Sequence, residues 1–365
     1  MPQPIASKDV AVAHDYFAIR GGGERLILTA ANAFEARLVC GYRTPDSYDM
    51  GAFPSDTVTL DTPAVFRRSA LRNLALAMQF SASSRLLRPF PVRVFSGAAA
   101  PFAAEVGTGG RNIYYCHTPP RFLYDQRRHF SAGIERSLPG RLALNWYQRG
   151  YEAALDRMDV IIANSETVRG RIKRYLGRDA EVVYPPCELE AFRWQGQGGY
   201  YLSTARLSKL KRVDRIVEAF LRLPERHLVV ASSGEELKSL QALAKGAPNI
   251  TFLGWIDEDR LRQLIGEAIA TIYVPVEEDF GMSPVESMAA GKPVIGVAEG
   301  GLRETIVDGE TGILLHPDFG VEDLAAAIDA LTPDRALAMR KACESRAELF
   351  SQERFLAGLQ RILEV

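Results

Sequence analysis

Residues 270–297 read ATIYVPVEEDFGMSPVESMAAGKPVIGV, and this stretch indicates the fold class of the 365-residue chain. The apolar run Ala270–Val274 is typical of a buried strand, and Val294–Val297 is a second such run. Between them, a loop leads into a segment with the composition of a helix, which begins near Ser283-Pro284. A strand, a helix and a strand in this order predict neighbouring parallel strands covered by helices.

The same alternation continues in both directions along the chain. Amphipathic segments of helix length, such as Val213–Arg222 and Leu324–Leu331, separate most of the strand-like runs. The other predicted strands are Val10–Ala13, Arg37–Cys40, Thr57–Leu60, Val92–Phe95, Asn112–Cys116, Asp159–Ala163, Glu181–Tyr184, Tyr200–Ser203, His227–Ala231, Ile250–Leu253 and Gly312–Leu315. This number of strands is too large for a single sheet of this kind. We therefore predict an α/β protein with two doubly wound, Rossmann-like parallel-sheet domains.

The boundary between the two domains is expected where helix formation fails. Pro185-Pro186 follows a predicted strand, and the polar, glycine-rich segment Trp194–Gly199 comes soon after. We therefore predict a linker at 185–198, a first domain at 1–185 and a second at 186–345. The terminal segment 346–365 is expected to pack back on the first domain.

Composition excludes several classes of protein. With 47% hydrophobic and 24% charged residues, the chain is neither disordered nor fibrous, and it contains no apolar run long enough to span a bilayer. A net charge of −1 gives no general attraction to nucleic acid. The four cysteines are far apart, and the N-terminus does not resemble a signal peptide, so we expect a cytoplasmic protein without disulfides or a zinc site.

Charge is unevenly distributed along the chain. The stretch 62–104 contains no acidic residue but six arginines interleaved with leucines: Arg67, Arg68, Arg72, Arg85, Arg88 and Arg93. A basic, apolar stretch of this kind can lie on an anionic membrane surface. The alternative is a helix packed on its own domain with its arginines in water.

Two segments could bind phosphate. Gly21-Gly22-Gly23 follows the first strand and precedes a helical segment, Arg25–Phe34, so its backbone could approach an anion at a helix N-terminus; the alternative is an ordinary turn. Arg206 and Lys211 leave the strand Tyr200–Ser203 and could clamp a diphosphate; the alternative is a solvated basic turn. The glycines do not form a GxGxxG fingerprint, which disfavours a nicotinamide dehydrogenase.

The loop after Val274 carries the strongest signal. Glu278 lies in the loop and Glu286 lies in the first turns of the helix that follows, so the two carboxylates could flank a sugar nucleotide. The backbone N–H groups of Phe280, Gly281 and Met282 have no intrahelical partner and could donate to a ligand. An acidic loop with a glutamate that complements the helix dipole is the alternative.

This phrase resembles that of the retaining GT-B glycosyltransferases of family 4. The matching elements are Glu278, Phe280-Gly281-Met282, Glu286 and Gly291-Lys292-Pro293-Val294, with a departure at Asp279, where a small residue is usual. Further matches are Asn164-Ser165, Gly254-Trp255, Gly300-Gly301 and Asp308-Gly309 with Gly312. Cys116-His117-Thr118-Pro119 is similar to a segment of bacterial polysaccharide glycosyltransferases, many of which use GDP-mannose.

The resemblance implies a fold in which the two domains face a cleft, and a role for each matching residue. Glu278, His117 and the amides of Phe280–Met282 are expected around the donor sugar, and Glu286 on the ribose. The diphosphate is expected at Arg206, Lys211, Gly22 and Gly23, the base near Ser232, Trp255 and Ile256, and the acceptor near Asp15 and Arg121.

The predicted activity is retaining transfer of a sugar, chiefly mannose from GDP-mannose, onto a polyprenyl-diphosphate-linked oligosaccharide in exopolysaccharide or O-antigen assembly. The enzyme would bind the cytoplasmic face of the cell membrane through 62–104. The alternatives are a UDP-sugar donor, a nucleotide-sugar epimerase and a non-catalytic nucleotide-binding scaffold.

One segment has the spacing of a metal-binding motif but is predicted to have a different role. Asp257-Glu258-Asp259 has the D-x-D spacing of metal-dependent glycosyltransferases, but it precedes an amphipathic segment and is predicted to cap a helix. The family resemblance implies no required metal or other cofactor, because Arg206 and Lys211 would neutralise the leaving diphosphate.

Overall fold

The computed structural model describes residues 9–45, 47–67, 71–107, 109–125, 127 and 137–364. The chain divides into two compact units, Met1–Pro185 with Phe355–Val365, and Pro186–Arg354. The segment that returns to the first unit begins at Phe355, so 346–354 belong to the second unit and not to the first.

The first unit contains a seven-stranded parallel sheet of order β3-β2-β1-β4-β5-β6-β7. Its strands are β1 (Val10–His14), β2 (Arg37–Cys40), β3 (Thr57–Thr59), β4 (Val92–Ser96), β5 (Arg111–Cys116), β6 (Val160–Ala163) and β7 (Glu181–Val182). Its helices are α1 (Gly22–Ala33), α2 (Ala64–Arg67), α3 (Arg72–Ala82), α4 (Leu138–Leu155) and α5 (Glu166–Leu176).

Both faces of this sheet are buried, which explains why its strands are apolar at consecutive positions. Alternate side chains point to opposite faces, so Ala11 and Phe95 belong to one buried cluster while Val12 and Val94 belong to the other. The C-terminal helix contributes Phe355 to the second cluster.

The second unit contains a six-stranded parallel sheet of order β10-β9-β8-β11-β12-β13. Its strands are β8 (Tyr200–Ser203), β9 (His227–Val230), β10 (Ile250–Phe252), β11 (Thr271–Ile272), β12 (Val294–Val297) and β13 (Gly312–Leu315). The helices are α6 (Val213–Leu221), α7 (Leu237–Ala244), α8 (Glu258–Glu267), α9 (Met282–Ala289), α10 (Leu302–Thr305), α11 (Val321–Ala330), α12 (Pro333–Ala338), α13 (Arg340–Ala347) and α14 (Gln352–Leu363), the last of which continues into the first unit.

Each sheet has one point at which the strand order reverses, between β1 and β4 in the first unit and between β8 and β11 in the second. In doubly wound sheets, ligands bind outside the carboxyl ends of the strands at this point. The predicted fold class is confirmed, because both sheets are parallel and doubly wound. Every predicted strand is found, and no strand end differs from its predicted position by more than two residues.

None of the helices in the described parts of the chain combines the length and the apolarity needed to cross a bilayer.

Candidate active site

The carboxyl edge of the second sheet gathers a lysine, a glutamate and a tyrosine beside the reversal point. Lys211 follows β8, whereas Tyr273 and Glu278 follow the neighbouring strand β11. The Lys211 Nζ donates to Glu278 Oε2 at 2.6 Å and to the Tyr273 hydroxyl at 2.8 Å. It also lies 5.1 Å from the centre of the tyrosine ring. Sequence reasoning selected Lys211 and Glu278, and the structure brings them into direct contact.

The pKa of Tyr273 depends on its burial and on the charges around it. Burial raises the pKa of Tyr273 well above its ordinary value, and the negative charges of Glu278, Glu286 and Asp279 raise this pKa further. The hydroxyl therefore stays protonated and can donate a hydrogen bond. Glu286 lies half-buried in α9, and its charge contributes to the raised pKa of Tyr273.

Two glycines without a Cβ allow the backbone of the loop after β11 to pack closely against them. A Cβ on Gly300 would lie 2.2 Å from the Glu278 carbonyl oxygen, and one on Gly301 would lie 2.4 Å from the Phe280 Cα. The Gly301 N–H donates to the Glu278 carbonyl at 2.9 Å. Gly281 has φ of 94°, which favours glycine, and directly precedes α9. The amides of Phe280–Met282 therefore lie at the N-terminus of α9, in a loop fixed by close backbone packing.

The two predicted diphosphate-binding cations have different environments. Lys211 is largely buried, whereas Arg206 is exposed and lies 3.5 Å from Glu235 in an ion pair. A third cation, Arg212, was missed by sequence reasoning. Its guanidinium donates to the carbonyls of Val274 and Pro275 at 2.7 and 2.6 Å and to Glu299 at 2.7 Å, so it fixes the start of the loop that carries Glu278.

The residues predicted for the nucleotide base follow β9 and β10, on the side of β8 away from β11. Ser232 and Ile256 are half-buried, and the indole of Trp255 is exposed (78%), so it is available for stacking. Asp257 caps α8 by accepting from the Arg260 N–H at 2.8 Å, which confirms the predicted capping role of this aspartate.

The carboxyl edge of the first sheet carries a chain of polar contacts between two histidines. His14 ends β1, Ser96 ends β4 and His117 follows β5. The Ser96 hydroxyl lies 3.2 Å from His14 Nδ1 and 2.8 Å from His117 Nε2. Burial lowers the pKa of His14 to about 3, with a further contribution from His117, and burial lowers the pKa of His117 to about 4. Both rings are therefore neutral near pH 7.

The two predicted acceptor residues already make strong contacts within the first unit. Asp15 is buried, and its carboxylate accepts from the backbone N–H groups of Ala98, Ala99 and Ala100 at 2.8, 2.9 and 2.8 Å. This geometry makes Asp15 an anchor for the loop after β4. Arg121 donates to Asp125 at 2.9 and 3.0 Å. An acceptor role for either residue stays a prediction.

The triple glycine forms the start of α1 rather than a loop before it. Gly21 is the N-cap, and Gly22 and Gly23 are the first helical residues. A Cβ on Gly23 would lie 3.3 to 3.5 Å from the His117 ring, so this glycine lets the histidine lie against the helix. Glu24, in the first turn, was missed by sequence reasoning; burial, with a contribution from Asp15, raises its pKa to about 7.

The basic stretch 62–104 is less exposed than its sequence suggested. Arg67 and Arg72 stack on Tyr42 and Tyr16, and Arg88 is paired with Glu105 at 2.9 Å. Arg93 is 3% exposed, so it cannot contact a membrane, and the expectation of a basic membrane face is wrong for this residue. Arg85 is exposed, and Arg68 lies outside the described residues.

Three of the residues that sequence reasoning missed share one signal. His14, Ser96 and Tyr273 are polar residues at or just beyond the carboxyl end of a buried strand. A search at the carboxyl ends of the predicted strands would have found His14 and Ser96 directly after their strands, and Tyr273 as the next-to-last residue of Ala270–Val274.

Two family models match adjacent parts of the chain. Residues 20–191 match the model described as Glycosyltransferase Family 4, and residues 188–350 match Glycosyl transferases group 1. The Alpha-1,3/1,6-mannosyltransferase ALG2 of Dictyostelium discoideum is 36% identical over 62% of this chain and 63% of its own length. The Homo sapiens protein of the same name is 25% identical over 93% of this chain and 92% of its own length.

A solved structure supports the fold. Anabaena Alr3699/HepE in complex with UDP and glucose matches 97% of this chain and 99% of its own, with a TM-score of 0.75 and 17% identity. The family models together cover both units, and the structural match covers nearly the whole chain. The chain belongs to family 4 of the glycosyltransferases and is an enzyme of that class with the GT-B fold.

Proposed function

We propose that this glycosyltransferase transfers mannose, with retention of configuration, from GDP-mannose to a polyprenyl-diphosphate-linked oligosaccharide in exopolysaccharide or O-antigen assembly. The observation that carries the proposal is the contact of Lys211 with Glu278 and Tyr273 at the reversal point of the second sheet. The choice of mannose is supported by the mannosyltransferases among the relatives. The lipid-linked acceptor is supported by the resemblance of the Cys116–Pro119 segment.

The chemistry of sugar transfer matches this cluster. Breaking the bond between the sugar and the diphosphate leaves negative charge on the leaving group, and stabilising that charge is the main task of the protein. Lys211 is held by Glu278 and Tyr273, so its ammonium is fixed before the donor arrives. The exposed side chain of Arg206 can turn from Glu235 to a bound diphosphate. Because two cations supply this charge, we propose that transfer needs no metal ion.

Glu278 is the residue best placed to interact with the donor sugar. Its carboxylate lies in a loop fixed by Gly300, Gly301 and Arg212, beside the amides at the start of α9. Glu278 can hold a sugar hydroxyl, or act as a nucleophile if retention proceeds through a covalent intermediate. Glu286, one turn into α9, is proposed to bind the ribose.

A UDP-sugar is the second candidate donor, because HepE, which shares the fold, was solved with UDP and glucose. A thermal-shift series with GDP, UDP, ADP and their sugars separates the two donors, since a ligand at about 100 times its dissociation constant stabilises by roughly 2.7 kcal/mol. Stabilisation by GDP and GDP-mannose supports the proposal, whereas stabilisation by UDP ligands alone contradicts the choice of donor.

Transfer itself is tested with GDP-mannose and a short-chain polyprenyl-diphosphate oligosaccharide. The product should gain one hexose by mass spectrometry and show an α linkage by NMR. Isomerisation of the donor without an acceptor would instead indicate an epimerase. Donor binding without transfer to any lipid-linked acceptor would indicate a nucleotide-binding scaffold.

A further inference from the structure

Helix α4 presents an outward face that mixes exposed apolar residues with arginines. Leu138, Leu142 and Trp146 are spaced four residues apart and are 61%, 60% and 49% exposed. Because residues four apart lie on the same side of a helix, these three form one stripe. Arg141 and Arg149 are exposed on the same side. We call this set of five residues the α4 face.

The opposite side of α4 fixes the orientation of this face. Leu144, Tyr147 and Tyr151 are buried in the core of the first unit, and the Ser137 hydroxyl caps the helix by accepting from the Gly140 N–H at 3.2 Å. The helix is therefore anchored along its length, and its exposed apolar residues are not a consequence of loose packing.

A groove runs beside the α4 face. It has a volume of about 510 Å³ and is lined by Ser81, Phe102, Leu142, Trp146, Gly150 and Arg157, among others. A Cβ on Gly150 would lie 2.6 Å from the Phe102 ring, so the glycine allows Phe102 to pack closely against the helix. Phe102 and Trp146 are stacked with ring centres 6.1 Å apart, which gives the groove an aromatic wall.

The charge of this surface is mainly positive, although the exposed Asp156, the C-cap of α4, lies at its end and pairs with Arg178 at 3.7 Å. Glu152, the one acidic residue within α4, is half-buried, and its carboxylate accepts hydrogen bonds from Tyr124 and Gln148. Arg157, just beyond the helix, lines the groove and donates to the Ala104 carbonyl at 2.9 Å. Exposed leucines and a tryptophan between arginines match the surface of a bilayer that contains anionic lipids, where apolar groups enter the interface and arginines contact headgroups.

We propose that the α4 face docks on an anionic lipid bilayer, with Leu138, Leu142 and Trp146 entering the interface and Arg141 and Arg149 contacting lipid phosphates. The proposal moves the membrane contact from 62–104, where Arg93 is buried and Arg67 and Arg72 stack on tyrosines, to α4. It rests on the proposed function for its biological purpose, which is to bring a lipid-linked acceptor to the enzyme.

The α4 face is linked to the carboxyl edge of the first sheet. The Tyr147 hydroxyl, on the buried side of α4, donates to the Ala98 carbonyl at 2.7 Å. Asp15, next to His14, accepts from the N–H of the same residue, Ala98, at 2.8 Å. The buried side of α4 therefore contacts the loop that borders the predicted acceptor region, so the helix connects that loop to the α4 face.

Vesicle flotation of the full chain tests the proposal, without nucleotide sugar. Vesicles of phosphatidylcholine mixed with phosphatidylglycerol are compared with vesicles of pure phosphatidylcholine, because the anionic lipid supplies a negative surface potential. We expect binding to the anionic vesicles that weakens with salt. Arg141→Gln with Arg149→Gln should weaken binding by about 25-fold, since each arginine near such a surface contributes about fivefold. Leu142→Ser with Trp146→Ser should weaken it by at least about tenfold.

Matched controls lie on other surfaces of the same unit. Arg169→Gln with Lys173→Gln removes the same number of charges from exposed positions on α5, and Met50→Ser removes an apolar side chain that is 71% exposed. These variants should bind as the wild type does. Equal losses in controls and α4 variants would overturn the proposal, as would wild-type protein that does not bind anionic vesicles.

Trp146 provides a direct readout. Its fluorescence should shift to shorter wavelength with anionic vesicles and be quenched by lipids brominated near the headgroup, and Trp146→Phe should abolish both effects. Unchanged quenching in Trp146→Phe would contradict the proposal. So would self-association in lipid-free sedimentation that Trp146→Ser removes, because the α4 face would then bind a second copy. Transfer to a water-soluble acceptor is measured separately, so failure of the proposed function is distinguishable from failure of docking.

Discussion

Lys211 and Glu278 are separated by 67 residues in sequence, yet the Lys211 Nζ lies 2.6 Å from Glu278 Oε2. The contact exists because β8 and β11 are neighbours at the reversal point of the sheet, so the segments that follow them meet at one edge. Both side chains are about one-fifth exposed, which leaves a ligand access to each of them. The pair thus positions a cation and a carboxylate where a sugar diphosphate can bind.

Removing either member of this pair should abolish transfer without unfolding the protein. We expect Lys211→Ala and Glu278→Gln each to lower kcat by at least about 100-fold, as loss of one charge-stabilising group typically does. The melting temperature should change by only a few degrees, because the pair is partly hydrated. The measurement is the initial rate at saturating donor together with a thermal melt.

Arg222→Ala is the matched control, because it breaks an exposed ion pair with Glu322 in the same unit. Its rate should equal that of the wild type. More than a tenth of wild-type activity in Lys211→Ala would contradict the role given to this lysine.

Much of this architecture was predictable from sequence, because parallel strands buried on both faces are apolar at successive positions. Strand β2 is found at the predicted residues, Arg37–Cys40. Glu278 and Lys211 were identified individually by the phrases that contain them. Their contact was not predictable, since it depends on strand order, which no local pattern determines.

The sequence also did not reveal which charged residues are buried in the folded protein. Arg93 is buried in β4 and donates to the Gly109 carbonyl at 3.1 Å, although the sequence analysis expected the arginines of 62–104 at a membrane surface or, as the alternative, in water. Glu24 follows the triple glycine, but the sequence analysis assigned it no role. Its distinguishing property, a pKa near 7, comes from tertiary burial and the nearby Asp15.

The close packing of Gly301 predicts that a single methyl group will disturb the Glu278 loop. Gly301 has φ of −68°, so alanine is not excluded by backbone conformation; it is excluded by space, because its Cβ would lie 2.4 Å from the Phe280 Cα. We expect Gly301→Ala to cost about 1 to 3 kcal/mol of stability and to lower kcat. Chemical denaturation and initial rates measure the two effects.

Gly170→Ala is the control, because this helical glycine has no atom within 4 Å of the added Cβ. It should leave activity unchanged and stabilise by up to about 1 kcal/mol. A Gly301→Ala variant with wild-type stability and rate would show that the loop tolerates displacement.

Chelators should not affect the reaction. In the proposed mechanism, Lys211 and Arg206 provide the positive charge that a divalent ion would otherwise supply at the leaving diphosphate. We expect the same transfer rate with and without EDTA, after passage of the protein and substrates over a chelating resin. Loss of activity with EDTA that Mn²⁺ or Mg²⁺ restores would contradict the metal-independent proposal.

The Ser96 hydroxyl has one proton to share between two imidazoles, so it couples their tautomers. If Ser96 donates to His117 Nε2, it must accept from His14 Nδ1, and the reverse arrangement reverses both roles. Ser96→Ala removes this coupling, and we expect mixed tautomers of His117 in ¹⁵N NMR. In the wild type, both rings should remain neutral down to about pH 5, because their pKa values lie near 3 and 4.

The neutral histidines should make the stability of the protein depend on acidic pH, but His117 should not make the transfer rate depend on pH near 6.5. No inflection of the rate near pH 6.5 should arise from His117, and stability should fall as pH decreases from about 6.5 towards 4, since the unfolded chain binds protons first. His117→Gln should reduce this loss of stability at acidic pH. Titration of the wild-type His117 signal near pH 6.5 would contradict the burial that the structure shows.

Glu24 should make stability depend on pH in the opposite direction. Its pKa is about 7 in the folded protein, against an ordinary 4.5, so the folded state holds a proton that the unfolded chain has already released. The resulting stability is fully present below about pH 4.5 and is lost as pH rises through about 7. The difference between the two pKa values corresponds to about 3.5 kcal/mol at most, because each pKa unit corresponds to about 1.4 kcal/mol.

Glu24→Gln removes this titration while keeping the size of the side chain. Urea denaturation between pH 4.5 and 8 should show a smaller decrease in the free energy of unfolding for Glu24→Gln than for the wild type. Glu35→Gln is the control, because Glu35 is exposed beyond the other end of α1, and it should follow the wild-type curve. Parallel curves for Glu24→Gln and the wild type would show that Glu24 titrates as an ordinary surface carboxylate, and the first turn of α1 would then be open to solvent rather than closed over this side chain.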